Sequence, residues 1–418
     1  MKYGLMSYKY TVNIGNEIQS IASRRFLPKI DYYIDHEEIH EFNEDKDVKL
    51  IMNGWYLDSH SAWPPSENID PLLISIHFNT QQKTQDIILS DESRDYLTKH
   101  GPVGCRDLST YNFLNENEID AYFSGCLTLT LDSGNKNNQK DENNSYVLVS
   151  VDNPEEIVPF LKQKTNKKIY VLNQQFLPAF DNAFLGSMRL SLYNRTSFYT
   201  YGEKTFIAEN FLRMYENADC VITDRLHGAL PCLALQTPVL LFNSRQNQER
   251  FDGLNDLFNR SSIEEYMENY NIFDVENPCE NPKNYLKIRK NLIEKCRKFT
   301  GHVNDSCYSE CSYNEMLDEN TLLISKHSFE SRKYIKEVLK KSREYERTIK
   351  RQERQLDKKT KQIERYRDII SNKNDLIINQ KKLITNRNDL IIKQKKLISD
   401  YENSTSWRIT APLRKIKK

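Results

Sequence analysis

The chain has 418 residues, of which 38% are apolar and 28% charged. That length predicts about two to four domains, and the low apolar share predicts that part of the chain is elongated or solvated. The 24 Tyr, 18 Phe and 3 Trp exclude wholesale disorder, and 12 Gly with 13 Pro exclude collagen-like or Gly/Ser-linker material.

Charge is divided unevenly. Residues 330–418 hold 27 Lys and Arg against 12 Asp and Glu, a net of +15, whereas residues 1–329 carry a net of −14. An acidic body with a basic tail is therefore expected. No apolar run reaches the 18 or so residues of a membrane span. The opening MKYGLMSYKYTVNIGNE lacks a signal-peptide h-region, so the expected compartment is cytoplasmic. The eight Cys include several in apolar segments, such as Cys220 and Cys232, which suits reduced buried thiols. Cys307 and Cys311, with His302 nearby, form a single close pair. A zinc site usually needs two such clusters, so no metal site is assigned.

Along residues 1–131, strand and helix patterns alternate. KYGLMSY reads as a strand, and NIGN as a turn into the helix EIQSIASRRFL. VKLIMNGW and LLISIHF are strands. SDESRDYLTKH is a helix capped by Ser90 or Asp91, PVGCR a strand, LSTYNFLNENE a helix capped by Asp107, and IDAYFSG a strand. Residues 132–145 contain no apolar side chain and read as a linker. The alternation restarts over 146–329: SYVLVSV, NPEEIVPFLKQ, KKIYVL, FIAENFLRMYENA, DCVITD, LHGALPCLALQ and PVLLF are strand and helix in turn. The expected fold class is α/β, with two Rossmann-like domains in a GT-B-like arrangement and a ligand cleft at the carboxyl ends of the strands.

Residues 330–402 change character. Ile349, Leu356, Ile363, Ile370, Ile377, Ile384, Ile391 and Ile398 recur every seven residues, and NKNDLIINQKKLIT nearly repeats as NRNDLIIKQKKLIS. This predicts a long helix with coiled-coil period and a homo-oligomer built through it. The complementary core position is mostly polar, from Tyr345 and Gln352 to Gln394, which leaves a lone solvated helix as the other reading. The basic tail, 403–418, could lie on an anionic membrane surface or be an ordinary charged terminus. It lacks an aromatic stacking platform, so nucleic acid is not an expected partner.

The segment ADCVITDRLHGALPCLALQTPVLLF carries the most chemistry. A buried strand delivers Asp224, Arg225, Leu226 and His227 to the start of a helix, where a doubly wound fold places its ligand. Arg225 offers a fork for phosphate or carboxylate, and His227 a proton donor or acceptor near neutral pH. Arg225 could instead pair with Asp224, and His227 could merely cap the helix. Arg106, ending the GCRD strand, is the second candidate cation, with Asp107 as its structural alternative. His77 ends the strand SIHF. Asn13, Gly15 and Asn16 form a turn that could hold phosphate or a sugar hydroxyl. Arg250 follows the last apolar strand. Trp63-Pro64-Pro65 could stack on a sugar or pack as a loop.

DRLHGAL with ALQTPVLLF resembles the signature of the polysaccharide pyruvyl transferases. NIGNEIQSIASRRFLP, IMNGWYLDSHSAWPPS with LLISIHF, and HGPVGCRDLSTYNFL with IDAYFSGCLTLTL resemble other segments of that family, in the same order, over about residues 1–300. The resemblance implies a GT-B-like fold and a pyruvyl transfer from phosphoenolpyruvate to two hydroxyls of a sugar as a ketal, with phosphate released. It implies no cofactor beyond that donor substrate. Arg225 matches the family's donor-binding arginine, and Leu226, Arg106, His77, Asn13, Gly15, Asn16 and Arg250 complete the expected donor site. His227 is the expected general acid/base, with Arg225 beside it. FSGCLTLTL stands where many relatives carry Asp-Pro, so the acceptor is left open. STSWRITAPLR resembles tails on some bacterial surface-polysaccharide glycosyltransferases, which implies capsule or cell-wall assembly with lipid-linked acceptors and peripheral membrane contact. A nucleotide-sugar glycosyltransferase and a non-catalytic scaffold are the alternatives.

Overall fold

The computed structural model describes residues 1–9, 11–56, 63–79, 81–134, 145–175, 200–243, 248–308 and 315–409. Most of the expected linker, Cys311, and residues 410–418 of the tail lie outside the described residues. The chain divides into two units, Met1–Ile335 and Lys336–Lys418.

The first unit holds two parallel sheets. The first is built from β1 (Tyr3–Ser7), α1 (Ile14–Arg24), β2 (Tyr32–Asp35), β3 (Val48–Tyr56), β4 (Ile69–Phe78), α2 (Gln82–Ile88), α3 (Asp91–His100), β5 (Val103–Cys105), α4 (Leu108–Glu116) and β6 (Ala121–Phe123). Its strand order is β2-β1-β3-β4-β5-β6. The second is built from β7 (Tyr146–Ser150), α5 (Pro154–Leu161), β8 (Lys168–Val171), α6 (Tyr201–Asn217), β9 (Cys220–Thr223), α7 (Leu226–Ala234), β10 (Val239–Phe242) and β11 (Asn259–Ser261). Its order is β11-β10-β9-β7-β8. Read from the other edge, that is the order of the first sheet without its last strand. Each sheet therefore reverses direction beside its first strand, between β1 and β3 and between β7 and β9. Ligand crevices form at such reversals, outside the carboxyl ends of the strands.

Local sequence accounts for these elements. The run YVLVS of β7 is buried throughout, as a strand covered on both faces requires. In α1, Ile14, Ile18 and Ile21 fall on one buried face. The helix starts earlier than the sequence spacing implies. Asn13 caps it by accepting the Gly15 N–H at 3.1 Å, so Gly15 and Asn16 lie in its first turn. Thr200 and Glu203 form a reciprocal capping box on α6.

One apolar core joins the two sheets, with Ile14, Ile18, Leu129, Phe211 and Leu230 among its members. Two further clusters cover the outer faces. Arg24 of α1 pairs with Glu209 of α6 at 2.6 Å, and the Ile14 N–H donates to the Gln174 carbonyl at 2.8 Å. Beyond β11 come α8 (Ile263–Glu268) and α9 (Tyr285–Thr300), the latter closed by Gly301 at φ 75°. Arg289 of α9 donates to the carbonyls of Leu129 and Leu131, both at 2.7 Å, and pairs with Asp132 at 2.9 Å. Arg25 donates to the Thr130 carbonyl and pairs with the same Asp132 at 3.3 Å. Asp132 opens the expected linker yet belongs to the folded body, because two guanidinium groups converge on it.

The long helix α10 (Glu315–Glu402) has 88 residues and is followed by α11 (Thr405–Ile409). Its heptad residues, from Ile349 and Leu356 to Ile391 and Ile398, are all exposed in the single chain. No described helix is long and apolar enough to cross a membrane.

Candidate functional site

The reversal in the second sheet positions Arg225. Its backbone N–H donates to Thr223 Oγ1 at 3.0 Å, and it caps α7. The guanidinium is taken up locally, by Asp152 after β7 and by Asp224 at 3.3 Å. The Leu226 side chain is buried in the shared core, so only its backbone can serve a ligand. Gly228 lets α7 start hard against β9: a Cβ there would stand 2.6 Å from Thr223 Oγ1.

His227 is buried, at 4% exposure, against the first turn of α1. Its ring approaches Cys126 Sγ at 3.8 Å. Burial, with Arg106 and Arg250 adding to it, holds its imidazole well below the usual histidine range. It is therefore neutral at pH 7.

Arg106 directly follows β5, and its side chain is fully buried. Among the described residues none of its three side-chain nitrogens has a hydrogen-bond partner, and its one ion contact is Asp107 at 3.5 Å. Taking a guanidinium out of water costs several kcal/mol unless partners replace the solvent. An anionic ligand would supply those partners. Arg250 stands with its guanidinium carbon 4.8 Å from the Trp55 ring and acts electrostatically on both His77 and His227.

His77 is aimed by a kink. The β3–β4 pairing slips between Met52 and Gly54, and Ser75 adopts φ 58°. That left-handed conformation is unfavourable for serine, and the Ser75 N–H is tied to Ser124 Oγ at 3.1 Å. Beyond the slip, Trp55 lies opposite His77, their ring centroids 5.3 Å apart. His77 Nδ1 lies 2.7 Å from Asp107 Oδ2, and both side chains are buried.

The expected residues thus separate. His227 meets Gly15 of α1 and, like His77, lies within the electrostatic reach of Arg106 and Arg250, while Arg225 is held by carboxylates of its own sheet. Asn13 and Asn16 build the turn. The N–H groups of Ile14, Gly15 and Asn16 already have acceptors, and the Asn16 amide reaches Thr11 Oγ1 at 3.4 Å. Trp63 packs against Tyr56, Phe78 and Tyr96 in the core, which leaves loop packing and removes sugar stacking. Sequence reasoning missed Asp107 as a partner of His77, and missed Trp55 and Cys126. The local cap pattern explained Asp107 fully, and only the fold brings the other two to the site. Among the described residues, no group of three or more His, Cys, Asp or Glu could hold a metal ion.

Two doubly wound parallel sheets, with a buried guanidinium and two buried histidines near their strand ends, define an α/β protein. The family model for polysaccharide pyruvyl transferases matches residues 13–246, and the chain belongs to that family. The comparison with curated proteins finds no match. Among solved structures, the chain is similar to a functionally uncharacterized protein from Klebsiella pneumoniae subsp. pneumoniae NTUH-K2044. The identity is 12% and the TM-score 0.34, over 60% of this chain and 87% of that one. A likeness at that level carries no argument about the site.

Proposed function

We propose that the chain transfers pyruvate from phosphoenolpyruvate onto two hydroxyls of a bacterial surface-polysaccharide sugar, as a ketal, with release of phosphate. The observation that carries this reading, beside family membership, is Arg106: a fully buried guanidinium with no hydrogen-bond partner among the described residues. A donor bearing phosphate and carboxylate supplies the missing acceptors. In this reading Arg106 and Arg250 hold the anions, and Arg225 joins them by exchanging a carboxylate of its own sheet for the donor. His227, its proton affinity restored by the bound anions, gives a proton to the methylene carbon and serves as the general acid/base. The oxocarbenium-like centre is balanced by the donor's own charges.

The two sheets take a GT-B-like arrangement, as domains over 1–131 and 146–329. The heptad stripe of 330–402 assembles copies of the chain, and the basic tail meets an anionic membrane where acceptors are lipid-linked. The enzyme works in the cytoplasm. The test is calorimetric titration of the full chain with phosphoenolpyruvate beside UDP-, GDP- and CMP-sugars. Binding of phosphoenolpyruvate that is lost in Arg106→Gln supports the reading. Binding of a nucleotide sugar alone would replace it with a glycosyltransferase.

A further inference from the structure

The geometry points to His77 and Asp107 as the general-base dyad of the transfer, with His77 taking the proton from the acceptor hydroxyl. This rests on the reaction proposed above and divides a role there given to His227 alone.

Orientation favours His77. Asp107 spends Oδ1 on the start of α4, accepting the Thr110 N–H at 3.0 Å and its hydroxyl at 2.8 Å. Oδ2 is left for His77 Nδ1 at 2.7 Å. Burial alone would raise the carboxyl, but the hydrogen bond from His77 and the nearby Arg106 keep it below its ordinary range, hence ionised. An ionised carboxylate only accepts, so Nδ1 carries the proton and Nε2 the lone pair. Nε2 is the ring atom that the bond to Asp107 leaves over for a substrate. His227 lacks such an arrangement, since its ring meets a thiol.

The surroundings also fit the task. Burial and the cations Arg106 and Arg250 push His77 down to about 4, while Asp107 acts in the opposite direction. A donor anion on those two arginines offsets their effect, so that only burial opposes Asp107. The base is then strengthened only when the donor is in place, which keeps it idle in the empty site.

The step balances as follows. The acceptor oxygen forms a bond to C2 of the donor, and its proton passes to His77 Nε2. The methylene carbon has taken a proton from His227 and become methyl. The C2–O bond to phosphate then breaks, its electron pair leaving with phosphate. The second hydroxyl closes the ketal, and its proton leaves on the phosphate. His77 returns its proton to solvent and His227 recovers one, so the two hydroxyl protons end on the methyl group and the phosphate.

The test uses the full chain, His77→Gln, Asp107→Asn and Asp107→Ser. Asp107→Asn keeps an oxygen for the α4 cap but presents an amide donor to Nδ1, which forces the other tautomer. Asp107→Ser keeps a cap residue and leaves the ring unoriented, a second route if the amide variant misfolds. Phosphate release from phosphoenolpyruvate is measured with a panel of p-nitrophenyl hexosides as acceptor probes. Binding of phosphoenolpyruvate is measured by calorimetry, and the His77 tautomer and titration by nitrogen NMR of histidine-labelled protein. The expected result is a fall in kcat of about 10²–10⁴-fold in all three variants with donor binding kept. In the wild type, the His77 titration should move upward on adding phosphoenolpyruvate, and Asp107→Asn should lower it both with and without the donor. Unchanged kcat in His77→Gln, or a loss confined to donor binding, would overturn the dyad while leaving the transferase reading intact. A wild type that binds no phosphoenolpyruvate would overturn both.

Discussion

Gly15 and His227, 212 positions apart in the chain, touch: a Cβ on Gly15 would stand 3.0 Å from His227 Nδ1 and 3.2 Å from its Cβ. The helix start of one sheet thus sets where the histidine of the other can sit. Alanine is the better helix former by about 1 kcal/mol, so Gly15→Ala should leave the melting temperature nearly unchanged. The ring, however, must give by a few tenths of an ångström. We expect kcat to fall about tenfold to a hundredfold, checked by calorimetric melting beside steady-state phosphate release. A melting temperature that collapses would move Gly15 from the site to the core.

Arg106 makes an opposite pair of changes. A buried charge with one ion contact at 3.5 Å is a liability in the empty protein. Arg106→Met keeps most of the volume and removes the charge. The variant without ligand should melt higher than the wild type, and the stabilisation by phosphoenolpyruvate should vanish. Thermal melts with and without the donor read both. A lower melting temperature would show that the guanidinium is better compensated than its contacts indicate.

Arg225 must be released before it can serve a donor. Asp152→Asn weakens its hold on the guanidinium, and half-exposed ion pairs of this kind are worth about 0.2–1 kcal/mol. Donor binding should tighten up to about fivefold in Asp152→Asn, and weaken in Arg225→Ala by about 1.5–3 kcal/mol for a lost charged hydrogen bond. Calorimetry with phosphoenolpyruvate decides. Equal affinities in both variants would confine Arg225 to a structural role.

Stability should depend on pH with two opposed limbs. Burial holds His36 and His77 down to about 4, and holds His227 well below the usual histidine range. Below the ordinary histidine value of about 6.5 the unfolded chain takes up protons that the native one refuses, so stability falls on acidification, by about 1.4 kcal/mol per pH unit per group. Glu17 acts the other way. Burial pushes its carboxyl up to about 8. The unfolded chain loses that proton from about pH 4.3 upward while the native chain keeps it, so stability falls as pH rises toward 8. Three groups against one place the optimum near pH 6.5. Denaturant melts from pH 4.5 to 8.5 test this, and Glu17→Gln should flatten the alkaline limb and steepen the acid one.

The exposed stripe of α10 predicts association. Ile377→Lys with Ile384→Lys should convert an oligomer to a monomer in sedimentation equilibrium, with little change in donor affinity. A monomeric wild type would leave the helix as a lone solvated one.

The strands with buried runs were legible because composition alone distinguishes them: SYVLVSV, DCVITD and PVLLF each stand in the second sheet. The edge strands β2 and β11 escaped notice, since NRS carries no apolar residue and the short YYID, flanked by charged residues, buries only Ile34. In the site, His227 and Arg106 followed from strand-end position. The partnership of His77 and Asp107 did not, because it depends on two separate strand ends and on a kink at Ser75 that no local pattern announces. The pairing of Arg225 with Asp152 links residues 73 apart in the chain and was equally hidden. Asp224, its sequence neighbour, was visible as a partner.

The grip of Arg25 and Arg289 on Asp132 and on the carbonyls of 129–131 has a mechanical consequence. The backbone therefore leaves the first sheet already anchored, before the polar run that follows it begins. The path between the sheets is set at its start by charged hydrogen bonds, so that run can change in length or sequence without altering how the first sheet ends.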